Sequence, residues 1–266
     1  YNDNVTLGAN TALSATTATF NGTVAGSGNN LGVTGNAVFG DATTDSVTGL
    51  GTLSVSANTT INTDTITSAG TQTYTGAVTL GADTTLTTTD SAVLFSSTVN
   101  STGGARDLTV NAGTAGITFT GAVGGGAVLD AMTLNSTGTT TFSAAVSAGS
   151  LTTNAGGTTA VNGGSITTSG TQTYNDDVTV GTSNATLTTT NSAVLFAGTT
   201  TLNRNLAVSS GSGTVTFTGA VDGANSLSVS ASGTTTFTSA VGGGTALSAL
   251  TTNGGGTTAI NGGSVT

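Results

Sequence analysis

Residues 118–123, Thr118-Phe119-Thr120-Gly121-Ala122-Val123, return unchanged as Thr216-Phe217-Thr218-Gly219-Ala220-Val221. Read as a strand, the phrase puts Phe119, Gly121 and Val123 on one face and Thr118, Thr120 and Ala122 on the other. Outward from it, an aromatic residue recurs at Tyr1, Phe20, Phe39, Tyr74, Phe95, Phe119, Phe142, Tyr174, Phe196, Phe217 and Phe237, with Ile61, Val161 and Ile260 filling the gaps. The steps are 19–24 residues, except for two of 13, from Ile61 to Tyr74 and from Val161 to Tyr174. A recurrence of this size marks a chain wound in coils. The 13-residue steps read as a short or irregular coil closing each longer repeat.

Composition agrees. The 266 residues include 42 Gly and no Pro, Cys, His, Trp, Glu or Lys. Proline would remove a donor from an interior strand, so its absence suits a stack of paired strands. Gly, Thr, Ser and Asn dominate without a heptad pattern, which argues against long helices. The β-branched residues separate the chain from disordered sequences, which lack them. Eleven Asp face only Arg106 and Arg204, a net charge of −9 that excludes electrostatic binding to nucleic acid or anionic membranes. No run approaches the length of a membrane-spanning helix, so no membrane insertion is expected. Without Cys there are no disulfides, thiol nucleophiles or thiolate metal sites.

A longer repeat overlies the coil. Thr71-Gln72-Thr73-Tyr74 returns as Thr171-Gln172-Thr173-Tyr174, and Ser91-Ala92-Val93-Leu94-Phe95 as Ser192-Ala193-Val194-Leu195-Phe196. The opening Tyr1-Asn2-Asp3-Asn4-Val5-Thr6 matches 174–179, and the closing Asn261-Gly262-Gly263-Ser264-Val265-Thr266 matches 162–167. Residues 1–266 therefore read as a single parallel β-helix (β-solenoid), all-β, a slice of a longer array. Its repeat units are about 1–73, 74–173 and 174–266. With about 20 residues per coil and roughly 13 coils at the ~4.8 Å strand spacing, a rod on the order of 60 Å is expected.

Phrases such as Gly233-Thr234-Thr235-Thr236-Phe237-Thr238-Ser239-Ala240-Val241 resemble the repeats of large secreted bacterial β-solenoid proteins, the filamentous-haemagglutinin-like adhesins and autotransporter passengers. The resemblance implies export from a Gram-negative-type cell and a place on the cell surface or in an extracellular fibre. Its implied partners are other copies, end to end or side by side, or a host or surface receptor.

Chemistry is sparse. Glycan-cleaving β-helices need paired carboxylates, or Asp beside a base. The densest charges here are Asp176-Asp177 and Arg106-Asp107, and adjacent Asp side chains on a strand point to opposite faces. Both Arg read as solvated surface positions. Asp41, Asp45, Asp64, Asp83, Asp90, Asp130 and Asp222 are scattered singly, and the calcium-roll nonapeptide is missing, so they read as turn residues. No catalytic, cofactor or metal residue is assigned.

Threonine supplies the remaining candidate. Pairs stand three and one residues before the aromatic: Thr17 and Thr19, Thr71 and Thr73, Thr139 and Thr141, Thr171 and Thr173, Thr214 and Thr216, Thr234 and Thr236. With the ring inward, both members point outward, and stacking would align them in two columns. Such a surface resembles the flat Thr-x-Thr face of insect-type ice-binding solenoids. The same alternation turns Gln72 and Gln172 inward, where they need a bulge or a hydrogen bond.

Overall fold

The computed structural model describes residues 1–253 and 255–266. It contains two compact units, Tyr1–Gly138 and Thr139–Thr266. Each is a parallel β-solenoid, and the chain makes about 12 turns of roughly 21 residues. No helix occurs among the described residues.

A turn has three strands separated by tight corners, as in Thr65–Ser68, Gln72–Tyr74 and Val78–Leu80 of the first unit. Each strand bonds in parallel to its counterparts one turn before and after. Ile66 lies between Val47 and Leu86, Tyr74 between Val55 and Phe95, and Leu80 between Ile61 and Ser101. Backbone amides and carbonyls are thus satisfied between turns, and an interior strand of such a stack has no place for proline.

The inward residues form three columns in the first unit. One runs Val24, Val47, Ile66, Leu86, Val110, Leu134. The second runs Val33, Val55, Tyr74, Phe95, Phe119. The third runs Phe20, Phe39, Ile61, Leu80, Ser101. The aromatic series is therefore two stacks on different faces. Tyr1, Phe20 and Phe39 stack at 5.2 and 5.6 Å between ring centroids; Tyr74, Phe95 and Phe119 stack at 5.3 and 4.8 Å. These spacings follow the strand repeat, because in-register parallel pairing leaves a ring no position except above its counterpart.

This geometry corrects the reading of the 13-residue step. No turn is shortened there: Ile61 to Leu80 and Val55 to Tyr74 are both 19 residues. Thirteen residues carry the chain across two of its three faces, moving the aromatic column from the third face to the second. The second unit repeats the move. Phe142, Val161, Val180 and Leu202 share one column, while Tyr174, Phe196, Phe217, Phe237 and Ile260 share another.

The phrase 118–123 is likewise not one strand. Ile117–Phe119 ends at the ring, residues 120–122 turn the corner, and Val123 begins the next face with a bridge to Val99. Gly121 occupies that corner because a Cβ there would come within 2.4 Å of the Ser97 carbonyl carbon.

Gln72 and Gln172 do point inward, fully buried. Gln72 Nε2 donates to the Thr87 carbonyl (3.0 Å) and the Ile66 carbonyl (3.3 Å), and its Oε1 accepts from the Tyr74 hydroxyl at 2.9 Å. Gln172 and Tyr174 make the same bond at 2.9 Å. Each pair sits where the aromatic column changes face. Burial pushes both tyrosine phenols well above their ordinary range.

Candidate functional site

All twelve threonines of the pairs project outward, exposed or half-buried. They do not form one surface. In the first unit Thr19 lies beside Val38 on the third face, whereas Thr73 lies between Ser54 and Leu94 on the second. In the second unit Thr141 neighbours Ala160 on the face of Phe142. Thr173 is followed by Leu195, then Thr216, Thr236 and Ala259 on the face of Tyr174. Only Thr214/Thr216 and Thr234/Thr236 stand in consecutive turns. The split follows from the change of face: pairs tied to the aromatic move with it.

A longer threonine ladder lies where the aromatic count does not reach. On the first face of the first unit, Thr65, Thr85, Thr109 and Thr133 form an unbroken outward column, flanked by Thr67, Thr87, Asn111 and Asn135. Asn111 Nδ2 donates to Thr87 Oγ1 (3.2 Å), and Asn135 Nδ2 to Asn111 Oδ1 (2.7 Å). The sequence signal is Thr-aliphatic-Thr/Asn around Ile66, Leu86, Val110 and Leu134, a face without rings. In the second unit the corresponding positions are mainly Ser and Thr, with Ala207 in one row and Asn253 at the last.

Charged residues serve the corners. Asp83 accepts the Asp107 amide (3.1 Å), Asp90 the Thr114 amide (2.9 Å), Asp107 the Ala131 amide (2.9 Å), and Asp177 the Thr199 amide (2.8 Å). Asp222 Oδ1 takes the amides of both Gly244 (2.7 Å) and Thr245 (3.1 Å). Asn58, Asn100 and Asn205 act in the same way. These caps join one turn to the next; the bonds that the Asp41 and Ala42 amides donate to Asp45 Oδ2 lie within a single corner and are the local kind of turn cap.

Asp176 and Asp177 do diverge, but at a corner and not within one strand, since the strand begins at Asp177: Asp176 is 1% exposed and Asp177 lies on the surface. Burial raises the Asp176 carboxyl above its ordinary range, partly offset by bonds from Gly157 and Thr159. Arg204 is exposed. Arg106 departs from a fully solvated position, being half-buried with its Nε enclosed. Among the described residues, no group of three or more His, Cys, Asp or Glu could hold a metal ion. Two depressions of about 310 and 330 Å³ flank Gly32 on the second face of the first unit, and neither lining includes a charged or aromatic side chain. No helix among the described residues is long and apolar enough to cross a membrane.

Stacked parallel turns, turn-to-turn side-chain caps and internal aromatic stacks define a repeat protein of the parallel β-solenoid class. The chain matches no protein-family model, no curated protein and no solved structure.

Proposed function

We propose that this chain is a structural rod or fibre segment of a bacterial cell-surface or secreted adhesin-like protein, acting mechanically and without catalysis. The observation that carries the reading is the continuity of reinforcement within each unit. Backbone ladders, stacked rings and Asn/Asp caps all link turn to turn, so displacing one turn disturbs its neighbours. Strand edges at the end of a stack favour assembly with other copies, the partner expected beside a host or surface receptor. Electron microscopy and fibre diffraction of the native material test this. Fibres with a ~4.8 Å axial repeat support it, and isolated short particles at high concentration count against assembly.

A second reading rests on the Thr65–Thr85–Thr109–Thr133 column, which offers hydroxyls and methyls at strand spacing on one face. Such a face would order water as an ice-binding solenoid does. Thermal hysteresis measured with the wild-type chain and with Thr109→Lys tests it: activity lost in the variant supports ice binding, and none in either sinks it. A polysaccharide-acting enzyme is the remaining alternative, checked by release of reducing sugar from a glycan panel.

A further inference from the structure

Arg106 and Arg204 hold the same place in the strand pattern, two residues before Leu108 and two before Leu206. Leu108 lies between Thr84 and Met132, and Leu206 between Ala185 and Leu227. Just ahead of these strands, the first unit carries Asp83 and Asp107 where the second carries Asn184 and Asn205. On the following turn Asp130 stands beside Arg106, its amide bonded to the Arg106 carbonyl at 2.9 Å. The same count before Leu227 puts Asn225 beside Arg204. Three aspartates around one arginine are thus matched by three asparagines around the other.

The exchange leaves the caps in place. Asp83 and Asp107 accept the Asp107 and Ala131 amides; Asn184 Oδ1 accepts the Asn205 amide (3.2 Å) and Asn205 Oδ1 the Ser226 amide (3.0 Å). What changes is the second atom of each side chain, a charged acceptor in aspartate and a two-proton donor in asparagine. With Oδ1 held by its cap, the planar amide turns Nδ2 to the other side, and neither Nδ2 has a partner among the described residues. Asn225 Nδ2 is already spent on the Leu202 carbonyl (2.8 Å), so that residue contributes neutrality alone. Arg204 is exposed; its Nη1 donates to the Asn203 carbonyl (2.8 Å), which orients the guanidinium and leaves its other N–H groups outward. The second unit has only three carboxylates: Asp176 is buried, Asp177 caps Thr199, and Asp222 takes the Gly244 and Thr245 amides. None is paired with Arg204.

We propose that the Arg204 corner is an anion-binding site that takes the carboxylate of a sugar acid. The guanidinium receives the carboxylate through charge-assisted hydrogen bonds, and the Asn184 and Asn205 amides donate beside it. Thr182, Ser183 and Asn203 on the same corner are exposed and neutral, and they give and accept hydrogen bonds with ligand hydroxyls. The site is open to solvent, so binding is in the millimolar range and weakens with salt. The Arg106 corner, ringed by carboxylates, repels the same ligand. The proposal holds whether or not the chain serves as a rod.

Nitrogen–proton NMR titration of the full chain at low, matched ionic strength tests this with glucuronate, glucose and acetate. Glucuronate should shift the Arg204 Nε–H and the Asn184 and Asn205 Nδ2–H signals saturably. Arg204→Gln should weaken it by about tenfold, the loss expected for a charge-assisted contact. Asn184→Asp with Asn205→Asp should weaken it at least as much while retaining both caps, so thermal melts should match wild type. Arg106→Gln should leave the affinity unchanged. Shifts that do not saturate, that survive Arg204→Gln, or that centre on Arg106 would overturn the site. Acetate binding as tightly as glucuronate, or glucose moving the same signals, would overturn the sugar-acid assignment.

Discussion

Replacing Gln172 by Leu and Tyr174 by Phe, singly and together, tests whether the buried polar pair holds the point where the aromatic column changes face. Gln172 Nε2 donates to the carbonyls of Thr188 (2.9 Å) and Ile166 (3.2 Å) and lies 3.3 Å from Thr168 Oγ1. Its Oε1 accepts the Tyr174 hydroxyl at 2.9 Å, and both residues are fully buried. Gln172→Leu leaves the phenolic O–H without an acceptor, which costs about 1–3 kcal/mol. Tyr174→Phe leaves Oε1 without its donor, at a similar cost of about 1–3 kcal/mol. Thr168 is not stranded by either change, since its hydroxyl already bonds the Gly170 carbonyl at 2.7 Å. The double variant removes both orphaned atoms together. It should therefore be less destabilised than the sum of the singles, with a coupling of about 1–2 kcal/mol. Urea unfolding of the full chain, followed by far-ultraviolet circular dichroism, measures all four corners of the cycle. Additivity within about 0.3 kcal/mol would refute the reasoning, because two groups sharing a buried bond cannot be independent.

Three further outcomes follow from the packing. Phe217→Ala should cost about 3–5 kcal/mol in the same assay, since the ring lies 4.4 Å from Phe196 and 5.2 Å from Phe237, and Phe217→Leu should cost distinctly less. Gly219→Ala forces a Cβ to within 2.2 Å of the Gly198 carbonyl oxygen, whereas at Gly8 a Cβ meets nothing within 4 Å. Thermal melts should show the first variant destabilised by roughly 1–3 kcal/mol and the second within about 0.5 kcal/mol of wild type. Asp222→Ala uncaps the Gly244 and Thr245 amides, and hydrogen exchange at both should accelerate, while Asp222→Asn retains the acceptor and the protection.

Much of the solenoid was legible in the residues, and the candidate site was not. Alternation around Leu206 and Val208, or Leu227 and Val229, already states which side chains enter the core, because strand geometry acts between near neighbours in the chain. The inward Gln72 looked like a defect from that alternation alone. Its acceptor at Thr87 lies 15 residues on, a distance that no local rule spans. The Asp and Asn caps show the same limit. Asp83 looks like an isolated turn residue in the sequence and Asp107 like half of a charged pair with Arg106, but their oxygens serve amides 24 residues away. The threonine ladder on the first face was missed for a related reason: its rows flank Ile, Leu and Val, so counting rings could not find it.

The 19–24-residue recurrence and the absence of proline were enough to determine a wound, parallel, all-β chain with rings inside, since each turn must pair with the next and reuse its pattern. Which face any repeated residue occupies was decided only by the tertiary hydrogen-bond register. Tyr1 and Tyr74 open similar repeats, yet they lie on different faces, because the 73 residues between them amount to three turns and two further faces. Periodicity along the chain measures distance travelled around the coil. Adjacency between side chains depends on where each turn closes.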